Sequence, residues 1–341
     1  MNDTHFNCLP TMIGSMPHRD PKRACALIAH YLKEVPAWPQ LPTLSPLEGM
    51  VAQCGEGFPN LAISDGKITV DAAADLSHGL EAIYAAYLED NASAFPISPA
   101  YATGLHEFLM LDKLHPTAVK GQVTGPVTFG LSIRDASGKA ILYDETLSDA
   151  AARLLCLKAK WQEAELRRIS PRTIIFVDEP GMSAYGSAFF SLPKEQVIAL
   201  IDITLSGITG LKGVHCCGNT DWGIIFSTQP DIVSFDAYNY ADSLALFPGD
   251  VERFIMRGGA VAWGIVPTNE ALAKESVASL KDRLDEAMVP FMRQGISYAR
   301  LKEQSLITPA CGLAALSEDG AEQALQMLAG LSARMQGIAA P

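Results

Sequence analysis

Residues 173–219 read TIIFVDEPGMSAYGSAFFSLPKEQVIALIDITLSGITGLKGVHCCGN, and their pattern is the clearest indication of the fold. It contains a short apolar run at Thr173–Val177, a helical pattern at Pro193–Ser206 and a second run at Gly213–Cys216. This order predicts two strands joined by a helix, which is the connection that parallel strands need. The stretch therefore predicts one β-α-β unit of a parallel α/β fold.

The same alternation continues on both sides of this unit. In chain order, we predict strands at Thr11–Gly14, Trp38–Leu44, Ala118–Val123, Thr173–Val177, Gly213–Cys216, Ile232–Phe235, Ala260–Ile265 and Ser305–Thr308. The predicted helices include Pro21–Lys33, Leu147–Ile169, Pro193–Ser206, Gly249–Arg257, Asn269–Gln294 and Gly320–Met335. Eight strands alternating with helices predict a (β/α)8 TIM barrel, in which chemistry takes place at the carboxyl ends of the strands. An open doubly wound sheet is the alternative, and the lack of a Gly-rich phosphate-binding turn after any strand disfavours it.

The whole chain, residues 1–341, is predicted to be one barrel domain, since 341 residues suit a single barrel with additions. The segment 50–116 follows the second predicted strand and is interrupted by the turn-rich pieces GEGFPN, SDG and FPISPAYATG. We interpret this segment as an insertion within the barrel.

Composition narrows the classes of function. Hydrophobic residues make up 48% and charged residues 19%, which predicts a large core. The net charge of −12 disfavours nucleic-acid binding, because such a chain repels a phosphate backbone. We see no run long enough to span a membrane and no secretory signal, so we expect no membrane association and a cytoplasmic location. Seven cysteines, an odd number, favour a reducing compartment over a disulfide framework.

Imidazole and sulfur side chains collect at the predicted strand ends. Side chains alternate along a strand, so His215 and Cys217 should point to the same side and Cys216 away from them. Cys311 follows the last predicted strand and should lie at the same rim of the barrel. Each of these residues alone is compatible with a place in the core. Together they predict a zinc site, because Zn²⁺ prefers nitrogen and sulfur ligands.

The predicted ligand set also indicates the chemistry. Zn²⁺ with two thiolates and a neutral imidazole is formally neutral. A substrate thiol in the remaining position would lose its proton and would stay electron-rich. Water activation usually employs His and carboxylate ligands, so the sulfur-rich set favours a thiol nucleophile.

Five motifs resemble the catalytic barrel of cobalamin-independent methionine synthase and occur in the same order. They are T-M-I-G-S-M-P from Thr11, V-K-G-Q-V-T-G-P-V-T-F from Val119, F-V-D-E-P from Phe176, H-C-C-G-N from His215 and P-A-C-G-L from Pro309. The H-x-C-G-N form is also similar to the methylcobalamin:coenzyme M methyltransferases, in a superfamily that includes uroporphyrinogen decarboxylase. These families are (β/α)8 barrels, so the resemblance implies the fold that the strand pattern predicts.

The resemblance also implies a ligand set for the metal. The zinc motif maps onto His215, Cys217 and Cys311. The acidic ligand of the family falls at the sixth strand, where this chain offers Asp236 in the stretch S-F-D-A-Y-N-Y. The family usually has Glu at that place, so the sequence departs from its pattern there.

Homocysteine is the thiol substrate that the resemblance implies. The acids that hold its ammonium in the family map onto Glu48 and Asp178. The turn that holds its carboxylate maps onto Ile13, Gly14 and Ser15.

Two departures from the family concern the methyl donor. The chain is expected to lack the additional N-terminal barrel that helps methionine synthase bind polyglutamylated methyl-folate. The family also has a His on the seventh strand, where this chain reads Gly264–Thr268 with Val266 and no acid. Methyl-folate needs a proton on its leaving nitrogen, whereas methylcobalamin expels Co(I) without one. We therefore expect methylcobalamin, presented by a separate corrinoid protein, as the donor.

Other functions remain open at this point. Coenzyme M could be the acceptor, with Arg19 binding its sulfonate, or methyl-folate could be the donor. A lyase like uroporphyrinogen decarboxylase would need no metal. A non-catalytic protein that binds a metal or a corrinoid would need a closed site with four ligands. The sequence leaves the oligomeric state undetermined.

Overall fold

The structure is a computed structural model that describes residues 5–339 apart from residues 65, 113 and 189. Its strands within these residues are β1 (Leu9–Pro10), β2 (Leu61–Ser64), β3 (Lys67–Val70), β4 (Val119–Thr124), β5 (Ile133–Arg134), β6 (Thr173–Asp178), β7 (Leu211–Cys216), β8 (Ile232–Phe235), β9 (Ala260–Val266) and β10 (Ser305–Pro309). Its α-helices are α1 (Pro21–Tyr31), α2 (Met50–Cys54), α3 (Ser77–Leu88), α4 (Thr103–Leu109), α5 (Pro126–Ser132), α6 (Glu145–Leu166), α7 (Lys194–Ser206), α8 (Trp222–Ser227), α9 (Ala237–Ala245), α10 (Pro248–Met256), α11 (Val277–Arg293), α12 (Tyr298–Glu303) and α13 (Glu318–Gln336). Short 3-10 helices lie at Pro46–Glu48, Ala92–Ala94, Ile141–Tyr143, Pro180–Ala184 and Glu270–Lys274.

The main sheet is parallel and curled. Among the described residues it has seven strands in the order β1-β10-β9-β8-β7-β6-β4. Every residue of β4, β6, β8, β9 and β10 is buried, as is typical of a parallel sheet with both faces covered. The register places Asp178 beside His215 and His215 beside Ser234, so the ends of β6, β7 and β8 lie next to one another.

The α/β class and most of the predicted strands are confirmed. From Ala118 onward the predicted strands coincide with β4, β6, β7, β8, β9 and β10 to within two residues. The first predicted strand is displaced, because β1 ends at Pro10 and only the Thr11 N–H continues the pairing, by donating to the Ile307 carbonyl. Residues 12–15 then form the turn.

The prediction of a regular strand at Trp38–Leu44 is wrong. Pro39 and Pro42 lack the N–H groups that a ladder requires. Two isolated parallel bridges take its place, Ser15–Gln40 and Ala37–Lys120. This segment therefore contacts β4 and the turn after β1 without becoming an eighth regular strand.

Helix ends follow the local sequence. Asp144 and Ser317 accept hydrogen bonds from the N–H groups of Leu147 and Gly320 and so cap α6 and α13. The predicted helix Asn269–Gln294 is divided, because Ser276 forms a capping box with Ser279 and starts α11 at Val277.

The segment 50–116 contains α2, β2, β3, α3 and α4. Its hairpin β2–β3 joins β5 in a small separate sheet, while α3 packs on α6 and α4 packs on α1. Lys158 of α6 is fully buried and donates a hydrogen bond of 3.0 Å to the Pro96 carbonyl of this segment. The segment is thus fixed to the outer helices by both apolar and polar contacts.

A cluster of buried apolar side chains, here called the apolar cluster, lies toward the amino ends of the strands. Its buried members are Phe6, Val35, Ala118, Ile174, Phe176, Leu211, Ile232, Ala260, Ala262 and Leu306. In the described part of the chain, no helix has the length and apolar character needed to cross a membrane.

Candidate metal centre

The three predicted zinc ligands lie together although the sequence separates them widely. His215 is in β7, Cys217 follows that strand directly, and Cys311 follows β10. One ligand atom from each residue lies within 4.8 Å of the other two. Cys216 is fully buried in the core, with its Sγ 3.5 Å from the Gly218 carbonyl, so it lies apart from the group.

His215 is held by one ring nitrogen and has the other unpartnered. Its Nδ1 lies 2.9 Å from the Ser234 Oγ on β8. Its Nε2 is buried and has no hydrogen-bond partner among the described residues. A metal-binding histidine has this arrangement, because the second nitrogen orients the ring for the first.

The two thiols shift each other's pKa in opposite directions. A hydrogen bond from Cys217, together with His215, lowers the pKa of Cys311 to about 4 against the effect of burial. The same hydrogen bond, with burial, raises the pKa of Cys217 far above its ordinary value. The site therefore favours the thiolate of Cys311, and the thiolate is the form that binds metals.

These residues open onto a cavity of about 350 Å³. The other predicted site residues that line this cavity are Ile13, Ser15, Glu48 and Asp178. Gly14 lies in the turn behind it, where a Cβ would come within 2.8 Å of the Gln40 Oε1. The turn can pack this closely only because residue 14 is a glycine.

Asp178, the last residue of β6, has an unpartnered oxygen. Its side chain is 4% exposed, and Oδ1 has no hydrogen-bond partner among the described residues. Burial raises its pKa to about 6, while His215 and Lys120 act in the opposite direction. A buried carboxylate oxygen normally accepts a hydrogen bond, and a ligand in the cavity can donate one.

Glu48 is also buried, but its two oxygens are already engaged. Oε2 accepts from the Leu41 N–H at 3.3 Å and Oε1 from the Thr103 N–H at 2.6 Å. Burial raises its pKa, and these hydrogen bonds act against that effect. Thr103 belongs to the segment 50–116, so that segment fixes one wall of the cavity.

Asp236 does not join the group of potential ligands. Its Oδ1 accepts from the Asn239 N–H at 2.8 Å and its Oδ2 from the Asn239 Nδ2 at 2.7 Å. Both oxygens therefore serve the amino end of α9, and the residue is absent from the described lining of the cavity.

Sequence reasoning missed the role of Glu179 in the D-E-P motif. Its carboxylate accepts from the N–H groups of Val127 and Thr128, at 2.9 and 2.8 Å, and from the Thr128 hydroxyl at 2.6 Å. The two N–H groups lie in the first turn of α5, where no helix carbonyl can accept from them. The F-V-D-E-P motif therefore binds the motif that begins at Val119. Burial raises the pKa of Glu179 to about 7.

Lys120 was also missed, although a lysine inside a strand predicted for a sheet that is covered on both faces is itself a signal. It is fully buried, and its Nζ donates to the Ile13 carbonyl at 2.7 Å and to the Gln122 Oε1 at 3.1 Å. It therefore supports the turn that lines the cavity.

A larger cavity, of about 640 Å³, lies at α6 and α7. Tyr84, Asp149 and Gln196 are among the residues that line it, and the described lining includes no His or Cys. Its side chains offer no soft metal ligand or thiol, so the smaller cavity remains the candidate site.

Comparison with known proteins supports the fold. No protein-family model and no curated protein sequence matches the chain. A solved B12-independent methionine synthase from Shewanella sp. W3-18-1, in complex with selenomethionine, superposes with a TM-score of 0.50 at 20% identity, covering 68% of this chain and 66% of that one. A methyltransferase from Methanosarcina mazei superposes with a TM-score of 0.52 at 13% identity, covering 92% of this chain and 86% of that one.

The first match spans just under two thirds of the methionine synthase chain. At these identities the likeness establishes a shared fold. The resemblance that the motifs predict is therefore confirmed at the level of the fold.

Proposed function

We propose that this protein is a zinc-dependent methyltransferase that transfers a methyl group to the thiol of homocysteine and so forms methionine. One observation carries the proposal. His215, Cys217 and Cys311 converge on a cavity whose wall also holds the unpartnered oxygen of Asp178. A thiol ligand site and a site for a cationic group thus face the same small volume.

The three converging side chains fit zinc. They offer an imidazole nitrogen with no hydrogen-bond partner among the described residues and two sulfurs, of which that of Cys311 has a lowered pKa. Three protein ligands leave one position for a substrate, as in catalytic zinc sites. When bound, the metal lowers the pKa of a substrate thiol and supplies a thiolate at neutral pH. We omit Asp236 from the proposed set, because Asn239 occupies both of its oxygens.

The cavity favours homocysteine over coenzyme M. Among the described residues that line it, Glu48 and Asp178 are acids and none is Arg or Lys. Such a wall attracts an ammonium group and repels a bare sulfonate. Arg19, which the sequence offered for the sulfonate, is exposed and is not among the residues that line the cavity.

The donor that we propose is methylcobalamin on a separate corrinoid protein. Val266 ends β9 at the place where the similar family has an acid, and it is fully buried and apolar. A corrinoid needs no proton when it leaves, so an apolar residue suits it there. Methyl-folate would need a general acid on its leaving nitrogen.

The proposal also includes a closed (β/α)8 barrel. Residues 34–40 bond to both neighbours, since Lys120 donates its N–H to the Pro36 carbonyl and Gln40 donates its N–H to the Gly14 carbonyl. We propose that this segment occupies the eighth position of the ring. A closed ring would bring the carboxyl ends of all the strands around the cavity.

A cytoplasmic location fits the same proposal. All seven cysteines lie in the described part of the chain and all are free. Free thiols and a thiolate-based metal site persist best in a reducing compartment.

The test combines metal analysis with an assay of methionine formation. Purified protein should contain one zinc per chain and should form methionine from homocysteine and a methylated corrinoid, with the absorption of Co(I) appearing in parallel. Methyl-folate alone should give no methionine. Comparable turnover of methyl-folate without a corrinoid would overturn the donor, and faster methylation of coenzyme M would overturn the acceptor. A metal-free protein that decarboxylates a porphyrinogen would establish the lyase instead.

A further inference from the structure

The surroundings of Lys120 single it out from the other charged residues near the cavity. The side chain is fully buried, and its Nζ lies 4.4 Å from the centroid of the Phe176 ring. Its hydrogen bonds go to the Ile13 carbonyl and the Gln122 side chain. Removing a charge from water is costly, so a lysine placed here needs a reason beyond packing.

The hydrogen bond to Ile13 fixes one peptide plane of the turn. A trans peptide directs its C=O and its N–H to opposite sides, and the described chain contains no cis peptide. Since the Ile13 carbonyl points to Lys120, the Gly14 N–H points away from Lys120. Within the described residues, neither this N–H nor that of Ser15 is donated to another group.

The Gly14 carbonyl accepts from the Gln40 N–H, so by the same rule the Ser15 N–H points away from Gln40. Successive backbone N–H groups in a turn can bind an anion. The flanking side chains of Ile13 and Ser15 line the cavity that also holds Asp178. The positive charge of Lys120, on the other side of the peptide, favours an anion at these N–H groups as well.

We infer that Lys120 is a positioning residue, which holds the Ile13 carbonyl and thereby presents the Gly14 and Ser15 N–H groups to the carboxylate of the substrate amino acid. This inference rests on the proposed function and on the resemblance, which implies that the turn Ile13–Ser15 binds the carboxylate of homocysteine. Lys120 acts through the turn and does not touch the substrate. It therefore governs the selection of a thiol that carries a carboxylate.

The chain contains a matched control. Lys158 is also fully buried and also donates to one carbonyl, that of Pro96, but it belongs to an outer helix. Burial lowers the pKa of each lysine to about 8. Lys158→Met should therefore reproduce the general consequences of removing a buried lysine without altering the turn.

The experiment measures the binding of two thiols to the full-length, zinc-loaded protein by calorimetry. The thiols are homocysteine and 3-aminopropane-1-thiol, which has the same thiol and ammonium but no carboxylate. Lys120→Met should weaken homocysteine binding by roughly tenfold or more. Binding of the carboxylate-free thiol should weaken by a clearly smaller factor, which reports the loss of the Lys120 charge that lowers the pKa of Asp178, and the zinc content should not change. Lys158→Met should leave both affinities near those of the wild type.

Equal losses for the two thiols, or no loss for homocysteine, would overturn the inference. If Lys120→Met does not fold, Lys120→Gln replaces it, since Gln keeps an N–H donor on a shorter side chain. The glutamine variant should show a smaller loss that is again greater for homocysteine, and equal losses for the two thiols would count against a role in the turn. Wild-type protein that binds zinc but neither thiol would refute the proposed function itself.

Discussion

The two ends of the parallel sheet differ in whether their buried polar side chains have hydrogen-bond partners. Toward the amino ends lies the apolar cluster, and the buried hydroxyls of Thr173 and Ser305 there donate to Glu163 and to the Leu301 carbonyl. At the carboxyl ends, or in the segments that follow them, lie buried polar side chains with no hydrogen-bond partner for at least one atom among the described residues: Thr11, His18, Asp178, His215 and Thr308. Unpaired buried polar atoms reduce stability. The difference indicates that one end serves stability and the other serves a ligand.

The largest effect should follow from removing a sulfur at the carboxyl end. Cys217→Ser should abolish zinc binding and lower methyl transfer by more than about a hundredfold, because a metal ligand is lost. Zinc analysis and the methionine assay measure the two effects. Cys216→Ser is the matched control, since Cys216 is the neighbour that lies in the core. If Cys216→Ser were inactive and Cys217→Ser active, the assignment of Cys217 as a ligand would be wrong.

At the amino end, a core substitution should cost stability and nothing else. Ile174→Ala removes buried methyl groups from the apolar cluster and should lower the free energy of unfolding by about 2–5 kcal/mol. Denaturant unfolding measures this loss. Zinc content and homocysteine affinity of the folded variant should stay unchanged, and a change in either would show that the two ends are coupled.

Asp178 and Glu179 are adjacent, and we expect Asp178 to bind the ligand and Glu179 to stabilise the fold. Asp178→Asn should weaken homocysteine binding at least tenfold, from the loss of about 2–5 kcal/mol of interaction with the ammonium, while zinc is retained. Glu179→Gln should instead lower stability by about 1–3 kcal/mol, because it disturbs three donors at α5. Binding and thermal unfolding of both variants are the measurements. If both variants lost the same stability, different roles could not be assigned to Asp178 and Glu179.

The free energy of unfolding should depend on pH through Lys158, a buried lysine that lies at neither end of the sheet. Burial lowers the pKa of Lys158 from 10.5 to about 8, so between these values the unfolded chain binds a proton that the folded chain has released. Stability therefore rises with pH across this window. Relative to Lys158→Met, the wild type should gain about 2 kcal/mol in free energy of unfolding between about pH 7.5 and 9.5. A constant difference across this range would contradict the shifted pKa.

The sequence predicts the parallel strands well because they are buried on both faces and read as short apolar runs. The exception, Trp38–Leu44, contains two prolines, and these were a visible warning against a regular strand. Asp is a common N-cap residue, but no helix was predicted after Asp236, so the sequence analysis did not anticipate that it caps α9.

Other features of the site depend on contacts that no local pattern contains. Glu48 is fixed by the N–H of Thr103, which lies 55 residues further along the chain. Glu179 caps a helix that begins 53 residues before it, at Pro126. Such pairings form only when the sheet brings distant segments together, so the motifs showed which residues to examine and the structure showed which atoms are engaged.

The position of Cys311 has a consequence for biosynthesis. It follows β10, which is the last described strand in chain order but lies between β1 and β9 in the sheet. A ribosome therefore releases His215 and Cys217 long before it releases the third ligand. If the site binds zinc as proposed, metal capture should be delayed until β10 is inserted, so zinc loading would report that a nascent chain has completed its sheet. A chain that ends before Cys311 would have only two of the three proposed ligands.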